Sequence, residues 1–154
     1  MKALRQFEGP ERLWAMGFLI LLLVGTIVAV VQVHVSSTLA LEGLKARFAG
    51  PETADISTHS LASLLQTTHT HLFTLAFMQF MLGGLFLLSS ASKGLKGLLA
   101  GGGFAFILLD QASMWLAKGI SPAWVPLIWV AGTLMSVAFC IQIFWCMGDL
   151  VRRR

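Results

Sequence analysis

Four long apolar runs, residues 13–33, 71–88, 98–116 and 125–147, alternate with polar connections along the chain. Each run is close to the roughly 20 residues that carry a helix across the hydrocarbon core of a bilayer. A soluble domain would gather its apolar residues around one core. Here they come uninterrupted, and the pattern predicts an all-α, integral membrane four-helix bundle. It is expected to form a single transmembrane domain over residues 1–154, with an outer-face connection at about residues 35–68.

The connections set the neighbours. Residues 89–97 are rich in Ser, Gly and Lys, and so short a link makes the second and third helices antiparallel neighbours. Gly119, Pro122 and Pro126 mark a turn and a helix start before the fourth. In the long first connection, residues 39–48 alternate apolar and charged positions like a short surface helix, which Gly50-Pro51 stops. After Asp55, Ser57 or Thr58 can cap a new helix, and no breaker follows before Gly83. An amphipathic stretch at residues 61–66 is therefore expected to feed directly into the second membrane helix.

Charge placement orients the bundle. Eight Lys and Arg residues lie in the amino-terminal segment, in the second connection (Lys93, Lys96) and at Arg152, Arg153 and Arg154. Three (Lys45, Arg47, Lys118) lie in the other two connections. The positive-inside rule puts both termini in the cytoplasm. Brevity and basic flanks point to a multi-pass protein of a bacterial inner membrane. The first run follows Lys2, Arg5 and Arg12 as the core of a signal peptide would. Its apolar stretch is too long for that, Glu8 and Glu11 are out of place, and Thr38-Leu39-Ala40 is a weak cleavage sequence, so the segment is expected to be retained.

Composition then removes whole classes of function. At 154 residues, 56% hydrophobic and 12% charged, the chain has no room for a separate catalytic domain. The net charge of +4 lies beside the apolar runs as topology determinants do, so nucleic acid is not an expected partner. Trp14, Trp115 and Trp124 fall near the expected interfaces, and Cys140 and Cys146 read as small buried hydrophobes. Gln142 is placed to hydrogen-bond a neighbouring helix, and Gly101-Gly102-Gly103 reads as close packing or a flexible helix start. There is no Ser-His-Asp order, no HExxH and no Walker sequence.

Candidate chemistry gathers at one end. His34 ends the first membrane helix, His69 and His71 open the second, and His59 lies further out, so all four histidines fall on the outer side. Asp110, followed by Gln111, lies in the third run about 4.5 Å from the expected bilayer centre. An ionised, unpaired carboxylate there costs about 3 kcal/mol or more, so Asp110 is expected to be protonated, hydrated or paired, with histidines of the second helix as partners. His69 and His71 project about 200° apart on a helix, so one faces the bundle and the other does not. His69 shares a stripe with Phe73, Ala76, Phe80 and Gly83; His71 shares one with Thr74, Met78, Leu82 and Leu85.

Three chemistries fit histidines on adjacent helices at one depth. Haem b takes two axial imidazoles from facing helices, here His34 with His69 or His71, with Phe73, Phe80 and Gly83-Gly84 lining the ring and Gln66, Thr67, Thr68 and Thr70 near the propionates. A divalent metal ion (copper, zinc or iron) would draw on His34, His69, His71 and Asp110. A quinol site would use a histidine and an acid to accept the protons released on oxidation. The plainer alternative binds no cofactor and has polar histidines seated where water is available.

The stretch Leu65-Gln66-Thr67-Thr68-His69-Thr70-His71-Leu72-Phe73-Thr74 resembles a motif in a family of short bacterial four-helix membrane proteins. In that family His-x-His-Leu-Phe-Thr opens the second helix, and some members are labelled elongation factor-like. The resemblance departs in the body of the second helix, where Gly83-Gly84 stands in place of a further polar residue or histidine. It implies that His69 and His71 matter as a pair and brings no activity with it.

The expectation is a membrane redox subunit that binds haem b or supports a quinol site at the periplasmic face. Beyond the lipid bilayer its partners would be other membrane subunits or a periplasmic electron carrier. The alternatives are a non-catalytic accessory subunit of a larger membrane enzyme, or a copper- or zinc-binding membrane protein. No Cys or Met cluster accompanies the histidines, which argues against copper(I) handling.

Overall fold

The computed structural model describes residues 3–37, 41–49 and 61–152; His59, Gly50-Pro51 and the Ser57/Thr58 cap lie outside them. A 3-10 turn (Leu4–Gln6) precedes α1 (Gly9–Ser37) and α2 (Leu41–Ala49). Then follow α3 (Leu61–Leu87), α4 (Lys93–Lys96), a π-helical turn (Gly97–Gly101) and α5 (Gly102–Gly119). A second 3-10 turn (Pro122–Trp124) leads into α6 (Val125–Val151). The described residues contain no strand. Gly9–Val35, Leu61–Leu87, Lys93–Gly119 and Pro122–Val151 are each long and apolar enough to cross a membrane. The protein is thus an all-α, multi-pass four-helix membrane bundle, in contact with lipid along its length.

Helix α3 is already helical at Leu61, the first described residue of this stretch and well ahead of the apolar run, and it continues without a break as expected. Ser92 stops the preceding loop: its backbone is extended and its side chain accepts from the Leu95 N–H (3.3 Å), which caps α4. Ser121 caps the turn before α6 in the same way. With four spans, both ends of the chain meet on one side, the basic end, and the histidines of α1 and α3 lie at the other.

Packing is uneven. Helices α5 and α6 pack along each other, α3 lies against both, and α1 leans on α6 with little contact to α3. At the basic end Leu19, Leu22, Leu82, Phe86, Phe139 and Ile143 form the core. A smaller cluster closes the histidine end, where Leu44 of α2 inserts among Leu64, Ala117, Val125 and Ile128. The short helix expected at the surface therefore also plugs the bundle. Beyond Leu22, no residue of α1 from 23 to 35 is buried. In lipid such a face carries no hydrophobic penalty.

The basic end is tied by side chains the hydropathy pattern does not reveal. The Leu4 N–H donates to the Leu88 carbonyl (2.8 Å). Arg5 Nε donates to Asp149 Oδ1 (2.8 Å) and Arg5 Nη2 to Ser90 Oγ (2.9 Å). Ser90 donates to Asp149 from both its backbone N–H and its hydroxyl. Arg5 thus joins the amino-terminal turn, the α3–α4 loop and the end of α6, in addition to its role as a topology determinant.

Candidate functional site

Two polar layers cross the bundle between these ends. The one nearer the basic end is built around the π turn. A π turn breaks the i to i−4 ladder and leaves carbonyls to be satisfied from elsewhere, which is obligatory in a bilayer. Gln79, fully buried on α3, does this: its Nε2 donates to the carbonyls of Leu99 and Ala100, 3.0 Å each. Gln142 of α6 donates to Gln79 Oε1 (3.3 Å) and to the Ala138 carbonyl (3.2 Å). Gly103 makes room, since a Cβ there would run into the Gln79 amide. Within Gly101–Gly103 the close packing is at Gly103 alone, since a Cβ added at Gly101 would meet nothing within 4 Å. Gln142 does hydrogen-bond across helices; its partner Gln79 was not anticipated, although a lone Gln in an apolar run was signal enough.

The other layer holds the acid. Asp110 is 5% exposed and sits four residues outward of the midpoint of its span, about 6 Å along the axis. Its Oδ2 accepts from Gln111 Nε2 (2.9 Å), and Ser113 Oγ donates to its carbonyl (2.7 Å). A Cβ added at Gly132 of α6 would lie 3.3 Å from Asp110 Oδ1, so a glycine admits the carboxylate at this helix contact. Gln111 Oε1 is buried without a hydrogen-bond partner among the described residues.

Both histidines of α3 are exposed. The stripe of His71 becomes buried only further along the helix, at Leu82 and Leu85 in the core. The Nδ1 of His71 is 2.9 Å from the Thr67 carbonyl. A carbonyl only accepts, so Nδ1 is the donor in this pair. His69 faces outward, edge-on to Phe73 with ring centroids 5.3 Å apart, and Phe73, Phe77 and Phe80 continue that exposed face. Gly83, assigned to the same stripe, is buried instead against the π turn, where an added Cβ would lie 3.5 Å from Ala100. His34 is exposed on the uncovered outer part of α1. Thr68, placed near haem propionates by its position, accepts from Trp115 Nε1 (2.8 Å). The described residues hold no group of three His, Cys, Asp or Glu side chains placed to bind one metal ion. The structure therefore places Asp110 in a buried contact with Gln111 and Gly132, and His34, His69 and His71 on exposed positions.

A family model for a transmembrane helical domain, Aq_1264_TM, matches residues 38–154. The chain belongs to this family. The Aq_1264_TM match takes in α2 to α6, and with them His69, His71 and Asp110, while His34 on α1 lies outside it. It agrees with the resemblance noted from the sequence in that both are families of helical membrane proteins. No curated protein and no solved structure matches the chain.

Proposed function

We propose that the chain is a membrane subunit that handles protons at its histidine end, in support of a quinol-oxidising site within a larger membrane complex. Asp110 is the buried acid and His71 its link to water. The observation that carries this reading is the setting of Asp110. It lies buried in the membrane-spanning part of α5, its carboxylate accepting from Gln111, and among the described residues no lysine or arginine forms an ion pair with it. An ionisable group held at such depth marks a functional site more often than a structural one. Oxidation of a quinol releases two protons while two electrons pass to a redox centre of the complex. His71 Nε2 and the Asp110 carboxylate accept the protons in ordinary general-base steps. With the basic end in the cytoplasm, the protons leave on the periplasmic side of a bacterial inner membrane.

Haem b held inside the single chain finds less support. Its two imidazoles would have to face each other across a gap, whereas His34 rides on a helix that leans on α6 and makes little contact with α3. A second reading has its own observation: His69, Phe73, Phe77 and Phe80 form an uncovered face on α3. Seated against another subunit, that face would make the chain an accessory subunit and place His69 to ligate haem b or a metal at the junction.

The test uses native membranes, with quinol-driven electron transfer followed alongside a pH indicator outside sealed vesicles. Asp110→Asn and His71→Ala are expected to slow turnover on the order of a hundredfold, with the chain still present in the complex. Unchanged turnover and proton release in Asp110→Asn would sink the proposal. His69→Ala decides the second reading, since it removes a b-type band from the reduced-minus-oxidised spectrum of the purified complex only if His69 is a ligand.

A further inference from the structure

A groove of about 380 Å³ runs between the basic-end parts of α3 and the α4–α5 span, on the outside of the bundle. It is lined by Phe80, Gly84 and Leu87 from one side and by Lys96, Gly101 and Phe104 from the other. Glycine makes it a trough. A Cβ added at Gly84, Gly97 or Gly101 meets nothing within 4 Å, whereas at the neighbouring Gly83 it would lie 3.5 Å from Ala100. The helices are in contact at Gly83, and the open glycines beside it leave unfilled space facing lipid. From residue 80 to residue 87 the trough extends about 10 Å into the hydrocarbon.

Lys96 stands at the basic end of this trough, half-buried, where the headgroup region lies. Among the described residues its ammonium has no ion-pair partner. An apolar trough with one cation at its wet end is complementary to a molecule with an anionic head and a hydrocarbon tail. A helix from a second copy would fill the trough and leave the Lys96 charge sandwiched without a counter-charge, which is costly. We propose that the groove holds one anionic phospholipid, its phosphate on Lys96 and an acyl chain bedded on the glycines between Phe80 and Phe104. The lipid covers the π turn from outside, as Gln79 covers it from within.

The test is native mass spectrometry of the full chain released from detergent after incubation with phosphatidylglycerol or phosphatidylcholine of identical acyl chains. The wild type is expected to retain one phosphatidylglycerol per chain and to favour it about fivefold, the ratio that corresponds to one lysine's attraction of ~1 kcal/mol. Lys96→Gln is expected to abolish that preference. Gly84→Leu fills the trough from a position with open space and is expected to lower retention of both lipids, with unchanged helicity and thermal unfolding in lipid-free detergent. Gly101→Leu gives the same readout from the α5 side if Gly84→Leu disturbs the fold. Equal retention of the two lipids by the wild type, or undiminished phosphatidylglycerol in both leucine variants, overturns the proposal. A wild-type dimer that excludes lipid and is lost on Gly84→Leu overturns it as well, and assigns the groove to a second copy.

Discussion

The basic half and the histidine half of the bundle treat polar groups inside the membrane in opposite ways. In the basic half most are taken up by one another, Gln142 Oε1 being the exception among the described residues. Asp149 receives Arg5 and Ser90, Gln79 closes two carbonyls of the π turn, and Gln142 holds Gln79. In the histidine half they are left available: Gln111 keeps an unused acceptor among the described residues, and His34, His69 and His71 are exposed. The contrast separates residues that hold the fold from residues kept for chemistry. Loss of the first kind should appear in stability, and loss of the second in turnover.

Substitutions can break or sharpen this division. Asp149→Ala should be the most damaging to the fold. It leaves Arg5 and the Ser90 N–H without their shared acceptor in a site where Asp149 is 3% exposed, and about 3 kcal/mol is expected, read as an earlier unfolding midpoint in a denaturing-detergent titration. Gly103→Ala comes next at about 2 kcal/mol, because the new methyl must push the Gln79 amide off its carbonyls. In a Gln79→Ala background the same change should cost less than about 0.5 kcal/mol, and a double-mutant cycle measures the difference. Gln79→Leu alone should cost about 1–2 kcal/mol, since hydrogen bonds between membrane helices are individually modest. Asp110→Asn should change stability least, by under about 1 kcal/mol, while producing the largest fall in turnover. A large stability loss there with turnover intact would merge the two halves into one structural class.

The spans were legible because hydropathy and length act locally. That α3 runs unbroken from residue 61 into the membrane span was legible because the sequence lacks any breaker before Gly83. The 200° between neighbours-but-one separates His69 from His71, yet both are exposed at the helix end, where the bundle does not close over either. The Arg5–Asp149 pair spans almost the whole chain, and each charge already had a sufficient local explanation at a helix end. Asp149, an acid beside a run of arginines, was the unused hint. Gln79 was hidden by its partner: the carbonyls it serves are free because of a π turn, and no side-chain pattern announces an extra residue in a helix. The carboxylate of Asp110 accepts from its sequence neighbour Gln111, whereas the depth argument pointed to histidines of the second helix.

That extra residue reaches further than its own hydrogen bonds. A turn with one residue more than its α-helical counterpart sets everything beyond it about 100° round the axis from where an unbroken helix from Ser92 would point. The span therefore stores its angular phase as a residue count. Removing a single glycine from Gly101–Gly103 would barely alter hydropathy, length or charge, yet would swing Asp110 away from Gly132. Insertions and deletions within residues 97–103 are thus the changes most able to disconnect the acid while leaving a protein that still inserts and spans.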